Sequence, residues 1–122
     1  MGGVIIGYEI GRLLKKETIF CERVDKKFSL RRGFYIKKNT KVLIVEDVIT
    51  TGKSSLECLK LIKKFGGKFV GIACLIDRSK KSLISKKIIS QVKLDIPVFQ
   101  KNKLPNKLKN MQITKPGSRY LR

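Results

Sequence analysis

The chain has 122 residues, a length typical of one domain, and its hydrophobic content of 42% argues against disorder. It contains no histidine, which excludes Ser-His-Asp triads, Cys-His pairs and histidine-based metal sites. Any catalysis must therefore use carboxylates, lysines, arginines, hydroxyls, backbone amides or a hard metal ion. The formal net charge is +20, because 29 lysines and arginines stand against 9 acidic residues.

This positive charge is compatible with a nucleic-acid partner or with an anionic small molecule. The basic residues are scattered along the chain, and aromatic residues do not alternate with them in the pattern that stacks bases. We therefore interpret the charge mainly as solvated surface and do not favour nucleic acid as a partner. No apolar run reaches the ~18 residues of a membrane span. Val4–Ile6 is too short for a signal-peptide core, so we expect a cytoplasmic protein with no membrane contact.

The N-terminal region predicts one helix followed by short strands. The segment VIIGYEIGRLLKK fits an amphipathic helix, and its glycines, Gly7 and Gly11, predict close approach to a sheet. The apolar positions assigned to this helix are Val4, Ile5, Tyr8, Leu13 and Leu14. Thr18–Arg23 and Phe34–Ile36 are predicted as strands, and the charged segment Val24–Leu30 between them as a surface loop or hairpin.

The middle of the chain predicts a strand–helix–strand unit with parallel strands and a right-handed crossover. The strands are Val42–Val45 and Lys68–Asp77, the second covered on both faces. After Ser55 a helix runs to about Phe65, and its predicted buried stripe is Leu56, Leu59, Ile62 and Phe65. Cys58 and Cys74 lie in these apolar patterns and are interpreted as buried free thiols; Cys21 lies outside them.

The C-terminal region predicts an edge strand at Gln91–Phe99, since apolar residues alternate there and Pro97 lacks an amide hydrogen. Beyond it, 101–122 has few apolar residues and predicts an irregular tail. The domain organisation we expect is therefore a core over 1–100 followed by this tail.

The chemistry of the chain is concentrated in Lys41–Ser55, KVLIVEDVITTGKSS. Two adjacent carboxylates, Glu46 and Asp47, follow a buried strand and precede a glycine-containing turn at a helix N-terminus. Amides of such a turn bind phosphate, whereas the acids suit ribose hydroxyls or Mg²⁺ through water. Hydroxyl donors would come from Thr50, Thr51, Ser54 and Ser55. Because neither GxxxxGK[ST] nor GxGxxG is present, the segment predicts a ribose-phosphate site of another kind.

Val42–Ser54, VLIVEDVITTGKS, resembles the phosphoribosyl-pyrophosphate (PRPP) motif of type I phosphoribosyltransferases, in which a hydrophobic strand is followed by two acids and a T-x-G turn. Other segments resemble the orotate phosphoribosyltransferases within that group, so that nearly the whole chain is covered. These segments are Gly2–Gly7, Glu22–Arg23, Leu30–Phe34, Gly71–Arg78, Leu94–Pro97 and Lys115–Arg119. The resemblance implies an α/β, Rossmann-like fold with a mostly parallel sheet flanked by helices.

The resemblance also implies a reaction. Ribose 5-phosphate would pass from PRPP to orotate, giving orotidine 5′-monophosphate and pyrophosphate in de novo pyrimidine synthesis. The cofactor would be Mg²⁺, and the assembly a homodimer in which a mobile loop reaches the neighbouring subunit. The substrates PRPP and orotate would be the small-molecule partners.

Roles follow residue by residue from the same resemblance. Glu46 and Asp47 would hold the ribose hydroxyls, directly or through Mg²⁺, with Asp47 also counted as catalytic. Thr50 and Arg78 would contact orotate, Arg78 by pairing with its carboxylate. The catalytic cations of the mobile loop would be Arg23 with Lys26 or Lys27. The PRPP-binding set is Glu46, Asp47, Val48, Ile49, Thr50, Thr51, Gly52, Lys53 and Ser54.

Two departures from the family pattern keep other interpretations open. The family's N-terminal hood has no counterpart, so we expect an N-terminally truncated chain in which Gly2–Gly3 end the pyrophosphate loop. Lys53 stands where a small residue is common. The alternatives are a non-catalytic or degenerate PRPP-binding fragment that needs a separate N-terminal part, a purine phosphoribosyltransferase, and a basic nucleic-acid-binding protein.

Overall fold

The computed structural model describes residues 2–25, 27–79 and 87–112. Three strands, Lys41–Ile49 (β3), Lys68–Asp77 (β4) and Ile88–Lys93 (β5), form a parallel sheet in that order, and Cys21–Val24 (β1) and Lys27–Leu30 (β2) form a separate antiparallel hairpin, which confirms the predicted α/β class. Within the described residues, no helix is both long and apolar enough to cross a bilayer. The elements are α1 (Gly2–Leu14), β1 (Cys21–Val24), β2 (Lys27–Leu30), β3 (Lys41–Ile49), α2 (Lys53–Lys64), β4 (Lys68–Asp77), β5 (Ile88–Lys93), a 3-10 turn (Lys101–Lys103) and α3 (Asn106–Lys109).

The central unit β3–α2–β4 matches the prediction in order and in the parallel direction of its strands. Strand β3 is longer than predicted, because pairing with β4 continues through Glu46, opposite Cys74, to Ile49, opposite Asp77. The two acids therefore belong to the last part of the strand and do not follow it. Their positions are fixed by sheet hydrogen bonds.

The core lies between α2 and the sheet. Its buried members are Ile44, Ile49, Ile62, Ile72 and Cys74, and Leu56 and Leu59 pack against them. The predicted stripe of α2 is wrong at Phe65, which is 40% exposed because it caps the helix and faces outwards. The prediction that β4 is covered on both faces is also wrong, since Val70 and Leu75 remain exposed on a sheet face that α2 does not cover.

Helix α1 packs through its glycines. Gly7 and Gly11 are its buried residues, and the Thr18 hydroxyl donates to the Gly7 carbonyl at 3.2 Å. A Cβ at Gly11 would collide with the Thr18 hydroxyl, so only a glycine face permits this approach. The predicted close packing is confirmed, but the predicted apolar stripe is wrong because four of its five members are exposed: Ile5, Tyr8, Leu13 and Leu14.

The hairpin predicted at Val24–Leu30 is present, with Val24 of β1 opposite Lys27 of β2. The strand predicted at Thr18–Arg23 begins only at Cys21, because Thr18 contacts α1 instead. No strand forms at Phe34–Ile36, which corrects the prediction. The Phe34 amide donates to the Arg31 carbonyl at 2.9 Å in a turn, and its ring packs edge-on against Phe20.

Strand β5 corrects the strand predicted at Gln91–Phe99. It begins earlier, at Ile88, and ends at Lys93, where the Leu94 amide donates to the Asp77 carbonyl at 2.9 Å. Its edge position is as predicted within the described residues, since its one partner there is β4. Alternating apolar residues therefore continue beyond the strand without sheet pairing, and Val98 is 80% exposed.

Candidate functional site

The turn between β3 and α2 leaves the start of α2 without a side-chain cap. Gly52 caps α2 with φ 71° and ψ 7°, a left-handed conformation that glycine adopts at little cost. The Gly52 carbonyl accepts the Leu56 amide at 2.9 Å, and no side chain caps the helix at this position. The Lys53 amide makes only a long bond of 3.4 Å to the Thr51 hydroxyl. Amides of the first helical turn are therefore available to an anion.

Asp47 lies between this turn and the start of α1. One oxygen, Oδ1, accepts the Val48 amide at 2.8 Å. A Cβ on Gly2 would collide with the other oxygen, and one on Gly3 would lie 2.9 Å from the Val45 carbonyl. The structure thus brings Gly2–Gly3, as the first turn of α1, directly against the second acid of the motif.

Glu46 is half-buried and points towards α2. Burial raises the pKa of its carboxyl above the ordinary glutamate value, and the Asp47 carboxylate raises it further, while a hydrogen bond from Ser55 opposes this shift. Ser55 is 2% exposed. Its hydroxyl, which the sequence placed among the phosphate donors, instead lies beneath the turn and supports Glu46.

The raised pKa of Glu46 predicts a pH-dependent stability. Between the ordinary glutamate pKa and the raised one, the folded chain binds more protons than the unfolded chain, so its free energy of unfolding falls as pH rises through that window. Glu46→Gln removes this contribution. Urea unfolding at a series of pH values should show wild type losing stability relative to Glu46→Gln as pH rises. Parallel curves for the two proteins would contradict the assignment.

Arg78 is placed beside the turn by the sheet. Its amide donates to the Ile49 carbonyl at 2.8 Å, which joins the end of β4 to the end of β3. Its guanidinium Nε is buried and has no hydrogen-bond partner among the described residues. Oδ1 of the preceding residue, Asp77, accepts hydrogen bonds from the Ser79 amide at 2.8 Å and from the Ser79 hydroxyl at 2.6 Å. Since buried donors are normally satisfied, Arg78 Nε points to a missing acceptor.

The hairpin that carries the predicted cations lies beside the first turns of α2. Arg23 Nη1 lies 2.9 Å from Glu57 Oε2, and its guanidinium carbon lies 4.2 Å from the centre of the Phe28 ring. Lys27 is exposed at the start of β2, and Lys26 lies outside the described residues. The structure therefore joins the hairpin to α2, and within this chain it does not bring Arg23 to the acids.

The other predicted phosphate-binding residues divide between strand, turn and helix. Val48 and Ile49 belong to β3, and the Ile49 side chain is 2% exposed in the core, so it could contribute only backbone. Thr50 and Thr51 form the exposed turn, and Lys53 and Ser54 begin α2. The supporting roles of Ser55 and Glu57 were not predicted. The one signal that the sequence offers for these roles is the position of both residues in the helix that follows the turn.

The two acids fit a magnesium ion that is shared with a substrate. Magnesium is usually held by one or two carboxylates together with substrate oxygens and waters. Glu46 and Asp47 supply two consecutive carboxylates near the end of β3. In the part of the chain that the structure describes, no group of three or more acidic, cysteine or histidine residues could hold a metal alone. A metal here would therefore depend on the ligand for the rest of its coordination.

The sequence and the fold are similar to those of known proteins. The chain is 45% identical over 122 residues to an orotate phosphoribosyltransferase of Parvibaculum lavamentivorans, covering 99% of this chain and 63% of that protein. It thus spans less than two thirds of this curated relative. The fold is similar to part of the Leishmania donovani UMP synthase structure, with a TM-score of 0.59 and 23% identity over 73% of this chain and 20% of that one.

The family model described as "Phosphoribosyl transferase domain" matches residues 9–105. The match includes β3, the turn, α2 and Arg78, which are the elements that build the site. The chain belongs to the phosphoribosyl transferase domain family.

Proposed function

We propose that this chain carries the PRPP- and orotate-binding site of an orotate phosphoribosyltransferase, which makes orotidine 5′-monophosphate and pyrophosphate for pyrimidine synthesis in the cytoplasm. One observation carries the proposal: the buried, unpartnered Nε of Arg78 lies beside a turn that presents two acids and uncapped helix amides. This combination suits a ribose phosphate and a second substrate bearing a carboxylate. The 45% identity to a protein of that name supports it.

The turn would hold PRPP. The first amides of α2 and the hydroxyls of Thr50 and Thr51 would bind the 5-phosphate, helped by the positive end of the helix. Glu46 and Asp47 would accept hydrogen bonds from the ribose 2′- and 3′-hydroxyls, or reach them through Mg²⁺. When bound, Mg²⁺ would neutralise part of the negative charge of PRPP.

Arg78 would orient orotate. Its backbone is fixed by the bond to Ile49, so its guanidinium is held at the edge of the turn. A guanidinium pairs with a carboxylate through two parallel hydrogen bonds, which fixes the plane of the bound acid. Thr50, directly after Ile49, would lie on the same side and contact the same ligand.

The hairpin would supply cations to the pyrophosphate. Arg23, with Lys26 or Lys27, would act on the leaving group, in trans within a homodimer. Within this chain Arg23 is held by Glu57 at 2.9 Å, so acting in trans requires that this ion pair open. Arg23 is partly exposed, but Oε2 of Glu57 is buried, so opening the pair leaves a buried carboxylate oxygen that needs another partner.

Arg78→Lys tests the orotate assignment. We expect orotate affinity to fall by about 10- to 100-fold, since hydrogen bonds to charged groups contribute ~1.5–3 kcal/mol and lysine cannot form the paired bonds. The affinity for PRPP with Mg²⁺ should change little. Calorimetry measures both affinities, and the PRPP-dependent loss of orotate absorbance measures turnover.

The control is Arg12→Lys, at an exposed ion pair with Glu9 on α1, which should leave both affinities unchanged. Equal orotate binding by wild type and Arg78→Lys would refute the orotate assignment. Absence of PRPP binding by the wild-type chain would refute the proposed function itself. Steeply salt-dependent RNA or DNA binding that PRPP does not compete would favour the nucleic-acid alternative.

A further inference from the structure

The hairpin and α2 meet at a junction made of two neighbouring side-chain pairs. The first is the ion pair between Arg23 and Glu57, at 2.9 Å. Cys21 precedes Arg23 by two residues in β1 and therefore projects from the same face of the strand. Cys58 follows Glu57 in α2. The second pair is formed by these two thiols, which are in hydrogen-bonding contact.

We propose that Cys21 and Cys58 form a reversible disulfide site that reacts with low-molecular-weight disulfides and, when oxidised, fastens the hairpin covalently to α2. Both residues are free thiols, and both are partly exposed, so a small oxidant can reach them. Their elements are already held together by Arg23 and Glu57. Bond formation therefore requires no long-range movement of the chain.

The two thiols are suited to different steps of thiol–disulfide exchange. The hydrogen bond from Cys58 lowers the pKa of Cys21, whereas the same contact and burial raise the pKa of Cys58. Because the thiolate is the nucleophile, Cys21 is the group that attacks first. Its sulfur displaces one thiolate from the small disulfide and forms a mixed disulfide.

Cys58 then completes the exchange. It loses its proton to solvent and attacks the Cys21 sulfur, which releases the second small thiolate. In the net reaction two protein thiols and one small disulfide give one protein disulfide and two small thiols. The protein is oxidised by two electrons, and the small disulfide is reduced by the same two.

Oxidation changes what holds the hairpin. In the reduced chain the contacts between the hairpin and α2 include the Arg23–Glu57 ion pair and the contact between the two thiols, and both are non-covalent. In the oxidised chain the hairpin and α2 are one covalent loop. The consequence for turnover rests on the proposed function, in which the hairpin carries the catalytic cations, and oxidation would then reduce activity reversibly.

The third cysteine provides an internal control. Cys74 lies in β4, is 5% exposed and belongs to the core. Burial raises the pKa of its thiol, and at 5% exposure it is closed to a small disulfide in solution. Oxidation at the junction should leave Cys74 as a free thiol.

The experiment treats the full chain with oxidised glutathione, alkylates the remaining thiols and maps the peptides. We expect a Cys21–Cys58 linkage, with alkylation confined to Cys74. Tryptic cleavage at the hairpin's basic residues should slow by about tenfold, because cleavage follows the population of the open form, and dithiothreitol should restore it. In the Cys58→Ser variant the reaction should end with glutathione bound to Cys21 as a mixed disulfide, because the second thiol is missing. The Cys74→Ser variant should form the same linkage as wild type.

A linkage that involves Cys74, equal modification of all three thiols, or a Cys21–Cys58 disulfide that leaves tryptic cleavage unchanged would each overturn the proposal. These readouts do not use PRPP, orotate or catalysis. A chain that forms and protects the disulfide but binds no PRPP therefore refutes the proposed function alone. A chain that binds PRPP but forms no such disulfide refutes this inference alone.

Discussion

Asp47→Asn is expected, under the proposed function, to remove PRPP-dependent loss of orotate absorbance and to weaken PRPP binding by about 10- to 100-fold, since a hydrogen bond to a charged group contributes ~1.5–3 kcal/mol. The substitution keeps the size of the side chain. It also keeps an oxygen that can accept a hydrogen bond from the Val48 amide, which lies 2.8 Å from Oδ1 in the wild-type chain. It removes the negative charge that ribose hydroxyls or Mg²⁺ would use. Calorimetry with PRPP and Mg²⁺ measures the loss.

The matched control for this substitution is Glu9→Gln. Glu9 forms an exposed ion pair with Arg12 on α1, so the same loss of a negative charge at that position should leave PRPP binding unchanged. Thermal unfolding of both variants would show that each remains folded. If Asp47→Asn bound PRPP as tightly as Glu9→Gln, the carboxylate would have no part in the site.

Ile72→Ala is expected to cost about 2–5 kcal/mol of the free energy of unfolding, which is a large share of the 5–15 kcal/mol typical of domains. Ile72 is 1% exposed in β4, the central strand, between Ile44 of β3 and Ile88 of β5. Its truncation removes buried apolar surface and leaves a cavity beneath α2. Urea unfolding followed by circular dichroism measures the change.

Ile89→Ala supplies the comparison with the same chemistry at the surface. Ile89 is 79% exposed in β5, so its truncation should change the free energy of unfolding by about 0.5 kcal/mol or less. The difference between the two variants reports burial alone. Similar unfolding midpoints for both variants would show that the buried cluster does not dominate the free energy of unfolding.

The central unit could be predicted from the sequence because its signals are local. The apolar strand, the T-x-G turn and the spacing within α2 each act within a few residues. The ends of the strands were harder to predict, because they depend on pairing with residues that are distant along the chain. The extension of β3 through Ile49 depends on pairing with β4, and the end of β5 depends on the bond between Leu94 and Asp77.

The errors share this origin. Ile5 and Tyr8 are apolar but exposed, since the close approach of α1 to Thr18 and Val45 requires the glycine face. Phe34–Ile36 has strand-forming residues but no strand beside it within the described residues. Apolar pattern predicts which residues could be buried, whereas the available neighbours determine which of them are.

The same distinction applies to the candidate site. Glu46, Asp47 and the turn belong to one continuous motif and were visible in the sequence. The support of Glu46 by Ser55 joins the strand to the helix across the turn, and the contact of Cys21 with Cys58 joins residues that are far apart along the chain. Such contacts depend on how the hairpin and the sheet meet α2, which residue patterns do not encode locally.

Strand β3, the turn, α2 and β4 form one uninterrupted stretch from Lys41 to Arg78, and this stretch contains both acids, the uncapped helix and the unpartnered guanidinium. The groups assigned to the candidate site therefore lie on one strand–helix–strand unit and at its ends. A ligand held there would stabilise the very strands on which the rest of the fold is built.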